Sequence, residues 1–398
     1  RIHMFLKSRV FKFSLLAIVA AVSAAAFSGC AAIGTPPEGE RLVRIQASPQ
    51  WGGETFNDVI PRKDPDLLPI LVDWILDDNP NSSPEQDLAV MDRTASDFAV
   101  KPANGLRVTW LGHSTLLVEI DGYRVLIDPV WGERSSPFTW AGPKRFHRPP
   151  LALEDLPKLD AVVISHDHYD HLDHPTILKL AKSGVKFIMP LGVGSHFEHW
   201  GVAKGQIIEL DWGDSLDVKG LKLVSTPARH FSGRAITQSD KDKTLWSGWA
   251  FIGPDHRAYY SGDTAMFDGF SEIGERYGPF DVTMIETGAY NKRWMDVHLG
   301  PEQAVQAHRM VGGKTLIPVH WGTFELAMHS WTAPIERTIA AGEKCGVKVA
   351  SPRIGESVRP GTDQQFVRWW PTLPFLSAKE DRIASSGFED RAGACATG

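Results

Sequence analysis

Ala161-Val162-Val163-Ile164-Ser165-His166-Asp167-His168-Tyr169-Asp170-His171 is the stretch on which the reading of this chain turns. A short apolar run suited to a buried strand is followed at once by imidazoles and interleaved carboxylates. Such groups make a poor core, because each one taken from water needs a partner. They make a good ligand set at a strand end, since imidazole nitrogen and carboxylate oxygen are the donors zinc takes where it stays open for chemistry. The alternative is a surface turn, or histidines satisfied by neighbouring carboxylates; His166, His168 and His171 lie too close together to favour it.

One motif cannot complete two metal sites, so further ligands are expected downstream. His230 follows the run 221–224 and the Thr226-Pro227 break, Asp263 follows 258–262, and His320 ends 315–319. Each alone has a plain reading as a cap or turn residue. What they share is a place directly after a buried strand pattern.

With these residues in view, the order HxHxDH, then His, Asp and His, resembles the metallo-β-lactamase superfamily. The flanks narrow the likeness. Thr109-Trp110-Leu111-Gly112-His113-Ser114-Thr115, Gly142-Pro143-Lys144-Arg145-Phe146, Gly262-Asp263-Thr264, Gly288-Ala289-Tyr290 and His320-Trp321-Gly322-Thr323-Phe324 are similar to N-acylphosphatidylethanolamine-hydrolysing phospholipases D and their bacterial RomA-type branch. The resemblance implies an α/β fold, the αββα sandwich. It assigns His166, His168 and His230 to one metal and Asp170, His171 and His320 to a second, with Asp263 bridging. Seven protein ligands leave each ion short of a full shell, so water is left to be activated as the nucleophile. Two divalent ions, zinc by default, are the implied cofactors. Asp170, Asp263 and His298 are the expected catalytic residues, His298 as a donor to a phosphoryl oxygen. Tyr169 and Arg234 are the expected substrate contacts, Arg234 by pairing with a phosphate or carboxylate. Asp128 and His113 stand as supports for a ligand or as ordinary turn residues, and Asp167 is expected to point away from the metals.

The chain has 398 residues, 42% of them hydrophobic, enough to bury a full core. Its formal net charge of −6 argues against a nucleic-acid partner held by a general basic field. The first thirty residues differ in kind: Lys7, Arg9 and Lys12 precede an apolar run over 13–27 that ends Ser28-Gly29-Cys30. This pattern predicts a lipoprotein-type signal over 1–30, with Cys30 as the lipidated residue, and an address in the bacterial envelope. The run is short for a membrane span. The later cysteines, Cys345 and Cys395, are free to pair in an exported chain, but sequence alone does not bring them together.

Composition divides the remainder into a tether over 31–50, an N-terminal helical extension over 51–100, the hydrolase domain over 101–358 and an irregular tail over 359–398. Apolar spacing predicts an amphipathic helix over 65–76, either packed on the domain or serving as a lid. Asp121-Gly122 between two strand patterns predicts a hairpin whose central residues take positive φ. Strand patterns recur at 161–165, 186–189, 206–210, 221–225, 249–252, 258–261, 281–285 and 315–319, and helical ones at 174–182, 301–310 and 334–341. The aromatic and basic loop 131–150 suits an anionic bilayer surface, or simple packing. The expected function is a phospholipase D-type phosphodiesterase on N-acylphosphatidylethanolamine-like lipids, and the expected partner is a phospholipid at a membrane surface, with a homodimer left open. The alternatives are another hydrolase on the same fold, such as a lactonase, or an envelope protein that affects permeability without turnover.

Overall fold

The computed structural model describes residues 31–77, 79–391, 393 and 395, so Cys30 and the expected signal lie outside the described residues. Helices α1 (Gly39–Gln46) and α2 (Leu67–Leu76) precede the first sheet. That sheet joins β1 (Leu106–Trp110), β2 (Leu116–Ile120), β3 (Tyr123–Ile127), β4 (Ala161–Val163), β5 (Phe187–Pro190), β6 (Ile207–Leu210) and β14 (Ser357–Val358) in the order β14-β1-β2-β3-β4-β5-β6. The second joins β7 (Ser215–Val218), β8 (Leu221–Thr226), β9 (Gly248–Ile252), β10 (Arg257–Tyr260), β11 (Val282–Glu286), β12 (Thr315–Val319) and β13 (Lys348–Val349) in the order β13-β12-β11-β10-β9-β8-β7. Each sheet has an antiparallel part that passes into a parallel one, at β3–β4 and at β10–β11. The hairpin forms as expected, with Asp121 at φ 49° and Gly122 at φ 89° between the paired Ile120 and Tyr123.

Strand side chains alternate faces, and the two faces find different partners. Val108, Trp110, Val118, Ile127 and Val163 on the inner face meet Leu223, Trp249, Phe251, Tyr260, Met284 and Val319 of the other sheet. On the first sheet's outer face, Leu117, Leu126 and Val162 pack under Ile177 and Leu180 of α3 (His174–Ala181) and Phe197 of α4 (Gly194–His199). On the second, Val224, Ala250, Tyr259 and Leu316 pack under Phe270 of α5 (Gly269–Tyr277), Val305 of α6 (Pro301–Met310) and Ala341 of α7 (Ala333–Cys345). Each buried side chain of this size contributes about 1.5–3 kcal/mol, so three apolar layers hold four structural ones. This is the αββα sandwich. Its parallel strands bring β4, β11 and β12 to the same edge with their C-terminal ends, the usual position for ligands in sheets of this kind.

The ends of the chain depart from expectation. Residues 31–50 are not a free tether: Ile45 of α1 is fully buried against Leu191 and Trp246, and Arg41 pairs with Glu198 and Glu209. The extension over 51–100 holds α2, a short 3-10 turn at Ala95–Phe98 and otherwise irregular chain. It is fastened to distant parts of the domain, through buried Phe56 and Phe98, through Arg62 donating to the His230 carbonyl and through the Leu88 amide donating to the Phe146 carbonyl, contacts that composition does not reveal. The tail beyond β14 is irregular but packed, with Trp370, Ile383 and Phe388 buried. Cys345, ending α7, is disulfide-bonded to Cys395. Strands β1, β7, β13 and β14 and helices α1, α4 and α5 add to the patterns read from sequence.

Ile45→Ala tests the docking of residues 31–46. Removing a fully buried isoleucine side chain costs about 2–5 kcal/mol. The urea midpoint is expected to fall accordingly, whereas a free tether would leave it unchanged.

Candidate metal centre and its supports

The loop after β4 folds back on itself, with the amides of His171 and Leu172 donating to the His168 carbonyl. This tight turn points His166, His168, Asp170 and His171 inward together. His230 arrives from beyond β8, Asp263 from beyond β10 and His320 from the end of β12. His166 Nε2 lies 2.8 Å from His168 Nδ1, and His230 Nε2 lies 3.3 Å from the same nitrogen. Asp263 Oδ2 is 3.7 Å from both His166 Nε2 and His230 Nε2. Across the cluster, Asp170 Oδ2 is 3.2 Å from His171 Nε2 and 3.2 Å from His320 Nε2. Asp263 Oδ2 also lies 3.2 Å from His171 Nε2 and 3.1 Å from His320 Nε2. All seven sequence-predicted ligands are therefore brought together, and Asp263 is common to both halves.

The donor chemistry fits a cation pair. Ring nitrogens that converge at these distances repel when both present lone pairs, unless a proton or a metal ion lies between them. His171 Nε2 and Asp263 Oδ1 are buried with no hydrogen-bond partner. Burial, with the neighbouring histidines, pushes His166 and His230 well below the usual imidazole range, leaving neutral rings with free lone pairs. Burial works against a charge on His320 too, but Asp263 and Asp170 outweigh it and push that ring up to about 10. Asp170 and Asp263 are held well below the usual carboxylate range despite burial, chiefly by His171. Positive charge is favoured on this side of the cluster, which is what a metal supplies.

Most ligands are braced from behind, as metal-binding histidines usually are. His171 Nδ1 donates to Asp128 Oδ2 at 2.8 Å, and Asp128 also receives the Ser165 amide, the Ser165 hydroxyl and the Tyr260 hydroxyl. His166 Nδ1 lies 2.9 Å from the Ser165 hydroxyl, and His230 Nδ1 donates to the Val297 carbonyl at 2.7 Å. Asp128 thus supports a ligand, one of the two readings its sequence left open. Asp167 turns away, as expected, to accept from the Gly233 amide, His196 and the Thr244 hydroxyl.

His298 borders the same cluster, its ring centre 5.1 Å from that of His230 and 5.2 Å from that of His320. Its Nδ1 lies 2.7 Å from Glu286, a buried carboxylate that the sequence reading missed. Glu286 also accepts from the Thr264 and Leu299 amides, tying the loops that carry Asp263 and His298. Burial raises its carboxyl, with His298 pulling the other way. A signal was present: Glu286 ends an apolar strand, as the ligands do.

The two expected substrate contacts are placed differently. Arg234 is buried, donating through Nη1 to the carbonyls of Asp167 and Leu172 and through Nε and Nη2 to that of Ala32. Its guanidinium lies 4.1 Å from the centre of the Tyr169 ring. The Tyr169 hydroxyl donates back to the Arg234 carbonyl. With their donors committed inside the protein, both residues brace the ligand loop, which corrects their reading as substrate contacts. Spacing along the chain does not reveal which way a side chain faces.

A layered sandwich with this ligand edge defines a metal-dependent hydrolase, and the comparisons agree. Residues 123–321 match the beta-lactamase superfamily domain, and this chain belongs to the metallo-β-lactamase superfamily. An uncharacterized protein of Mycobacterium tuberculosis is 52% identical over 272 residues, 67% of this chain and 72% of that one. N-acyl-phosphatidylethanolamine-hydrolyzing phospholipase D 1 of Caenorhabditis elegans is 41% identical over 254 residues, 61% of this chain and 70% of that one. Among solved structures, a novel metallo hydrolase from the archaeon Ignicoccus hospitalis superposes with a TM-score of 0.50 at 26% identity, covering 64% of this chain and 97% of that one.

Arg234→Met separates a brace from a substrate contact. Leaving three buried carbonyls without their donor costs roughly 2–4 kcal/mol. Stability measured in urea is expected to fall by that amount while KM stays within about twofold; a large rise in KM with unchanged stability would restore the substrate role.

Proposed function

We propose that this chain is a phospholipase D-type phosphodiesterase acting on N-acylphosphatidylethanolamine-like lipids in the bacterial envelope, with zinc as its metal. The observation that carries this reading is the apolar collar beside the ligand cluster. Phe231 meets the His168 ring edge to face with centres 4.5 Å apart, and packs with Ile70 of α2, Trp294, Val297, Ala327 and Met328. Such a rim favours a substrate whose scissile group is polar and whose surroundings are hydrocarbon. Met328 also lines a cavity of about 480 Å³ whose wall is mixed, apolar at Ala333, Phe375 and Leu376 and polar at Asn79, His329 and Asp381, within the size range of ligand sites. The activity in the name of the nematode relative supports the same substrate class.

When bound, a pair of divalent ions supplies Lewis acidity and lowers the pKa of a water nucleophile. His166, His168 and His230 would hold one ion and Asp170, His171 and His320 the other, with Asp263 shared. Water oxygen joins phosphorus, the bond from phosphorus to the ethanolamine oxygen breaks, and that oxygen gains a proton. The products are phosphatidate and an N-acylethanolamine. Glu286 holds Nδ1 of His298, which turns the opposite ring edge toward the reacting phosphoryl group. The collar excludes water around that group, which strengthens every charge interaction in the site.

Access from a membrane surface is supported by the outer face of α2, where Leu68, Val72, Ile75 and Leu76 are exposed, and by exposed Trp140 in the aromatic loop. Among the described residues no helix is long and apolar enough to cross a membrane. Association would then be interfacial, together with the lipid on Cys30. The Cys345–Cys395 disulfide supports an oxidising compartment, in line with export.

Asp263→Asn tests the chemistry. Losing the charged oxygen shared by both ligand sets is expected to lower turnover by roughly 10³-fold, equivalent to about 4 kcal/mol of barrier. Mass spectrometry of lipid extracts should show N-acylethanolamine appearing with the parent protein and not with the variant; no release by the metal-loaded parent would end this assignment. The surface is tested by Leu68→Asp with Ile75→Asp. Partition onto anionic vesicles is expected to drop on the order of 10-fold or more, while a short-chain soluble diester is cleaved as before.

A further inference from the structure

His113, in the Leu111-Gly112-His113-Ser114 turn after β1, takes no part in the function proposed above, yet it is buried against the ligand cluster. Its Nε2 lies 2.8 Å from Asp170 Oδ2, the oxygen that also faces His171 and His320. Its ring centre is 4.1 Å from that of His320. By proximity alone, His113 joins Asp170, His171 and His320 as a possible metal ligand.

Hydrogen-bond accounting argues for another role. A carboxylate oxygen only accepts, so this contact, taken as a hydrogen bond, places the proton on His113 Nε2. His113 Nδ1 is buried with no partner, and a proton placed there would be a buried donor without an acceptor, costing about 1–3 kcal/mol. With Nε2–H donating, that nitrogen has no lone pair for a cation. The ring occupies one side of Asp170 Oδ2 and leaves the other toward His171 and His320.

The backbone holds the ring there against its own preference. His113 has φ 50°, a left-handed conformation that costs a non-glycine residue about 1–3 kcal/mol, and His320 has φ 65°. The two are tied directly, since the His320 amide donates to the His113 carbonyl at 3.1 Å, which also receives Trp110 Nε1 at 2.8 Å. The His113 amide donates to the Thr323 hydroxyl at 2.7 Å, and that hydroxyl lies 3.0 Å from His147 Nε2. Gly112 is required beneath this arrangement: at φ 104° a Cβ would come within 2.6 Å of the His147 ring. Strain of this kind persists where the surroundings over-determine it.

We infer that His113 is a positioning residue for the second metal site alone: through Nε2–H it aims Asp170, and through its carbonyl it seats His320, without itself binding the ion. The first site, built from His166, His168, His230 and Asp263, has no contact with its ring nitrogens. Loss of His113 should therefore leave a one-metal protein. This inference rests on the two-ion reading and not on the lipid substrate.

The test is metal content by plasma mass spectrometry after graded chelator dialysis of zinc-loaded protein, for the parent chain, His113→Ala and His113→Gln, with folding checked by circular dichroism. The parent is expected to hold two zinc ions. His113→Ala should retain one and bind the second about 10–100-fold more weakly, the usual effect of losing such a support. His113→Gln, whose amide donates from nearly the same position, should recover the second ion to within several-fold. Two ions held by His113→Ala with parental affinity would overturn the inference. So would His113→Gln as defective as His113→Ala, which would make the ring nitrogen a ligand. If His113→Ala does not fold, the cobalt-loaded His113→Gln protein decides: a parental visible spectrum upholds positioning, and an altered one overturns it. A parent chain that binds no metal would instead fail the two-ion reading itself.

Discussion

One carboxylate oxygen organises this protein. Asp263 Oδ2 lies 3.1–3.7 Å from the nitrogens of His166, His171, His230 and His320, which arrive from the ends of β4, β8 and β12. So many buried donors can be held around one acid only by a rigid frame, because each pays desolvation that relaxation would otherwise recover. The frame is the shared edge of two packed sheets. Three apolar layers fix the strand ends, and the strand ends fix the ligands.

Behind the ligands runs a second constraint, the bracing of their outward-facing ring nitrogens at His166, His171 and His230. Asp128 takes four hydrogen bonds from His171, Ser165 and Tyr260, and Glu286 ties His298 to the loop that carries Asp263. Arg234 closes the other side, gripping both ends of the Asp167–Leu172 turn and the carbonyl of Ala32. The segment that follows the expected lipid attachment residue is thus fastened to the loop that carries four of the ligands. The collar of Ile70, Phe231 and Trp294 lies beside the same metal edge.

Left-handed backbone at His113, Asp128 and His320 belongs to the same economy. These three residues leave their strands by sharp turns that aim side chains inward, and non-glycine residues accept such φ values only where contacts repay the strain. The His113 carbonyl and the His320 amide share one hydrogen bond, so two strained turns from different sheets stabilise each other.

The local patterns were legible because they rest on single-chain periodicity and on residue type. Alternating apolar runs foretold most strands, Asp121-Gly122 foretold its hairpin, and histidines and acids placed after buried runs foretold all seven members of the cluster. Direction was legible at Asp167, which turns away from the cluster, but not elsewhere. Arg234 has the chemistry of a phosphate contact, but only folding shows its donors turned onto Asp167, Leu172 and Ala32. Glu286 reads as one more strand residue until His298 is found beside it, and α1 has too few apolar positions to announce that Ile45 would be buried. Sequence determined which groups were available to hold metal; tertiary structure decided which of them face it and which stand behind, because facing depends on neighbours far apart in the chain.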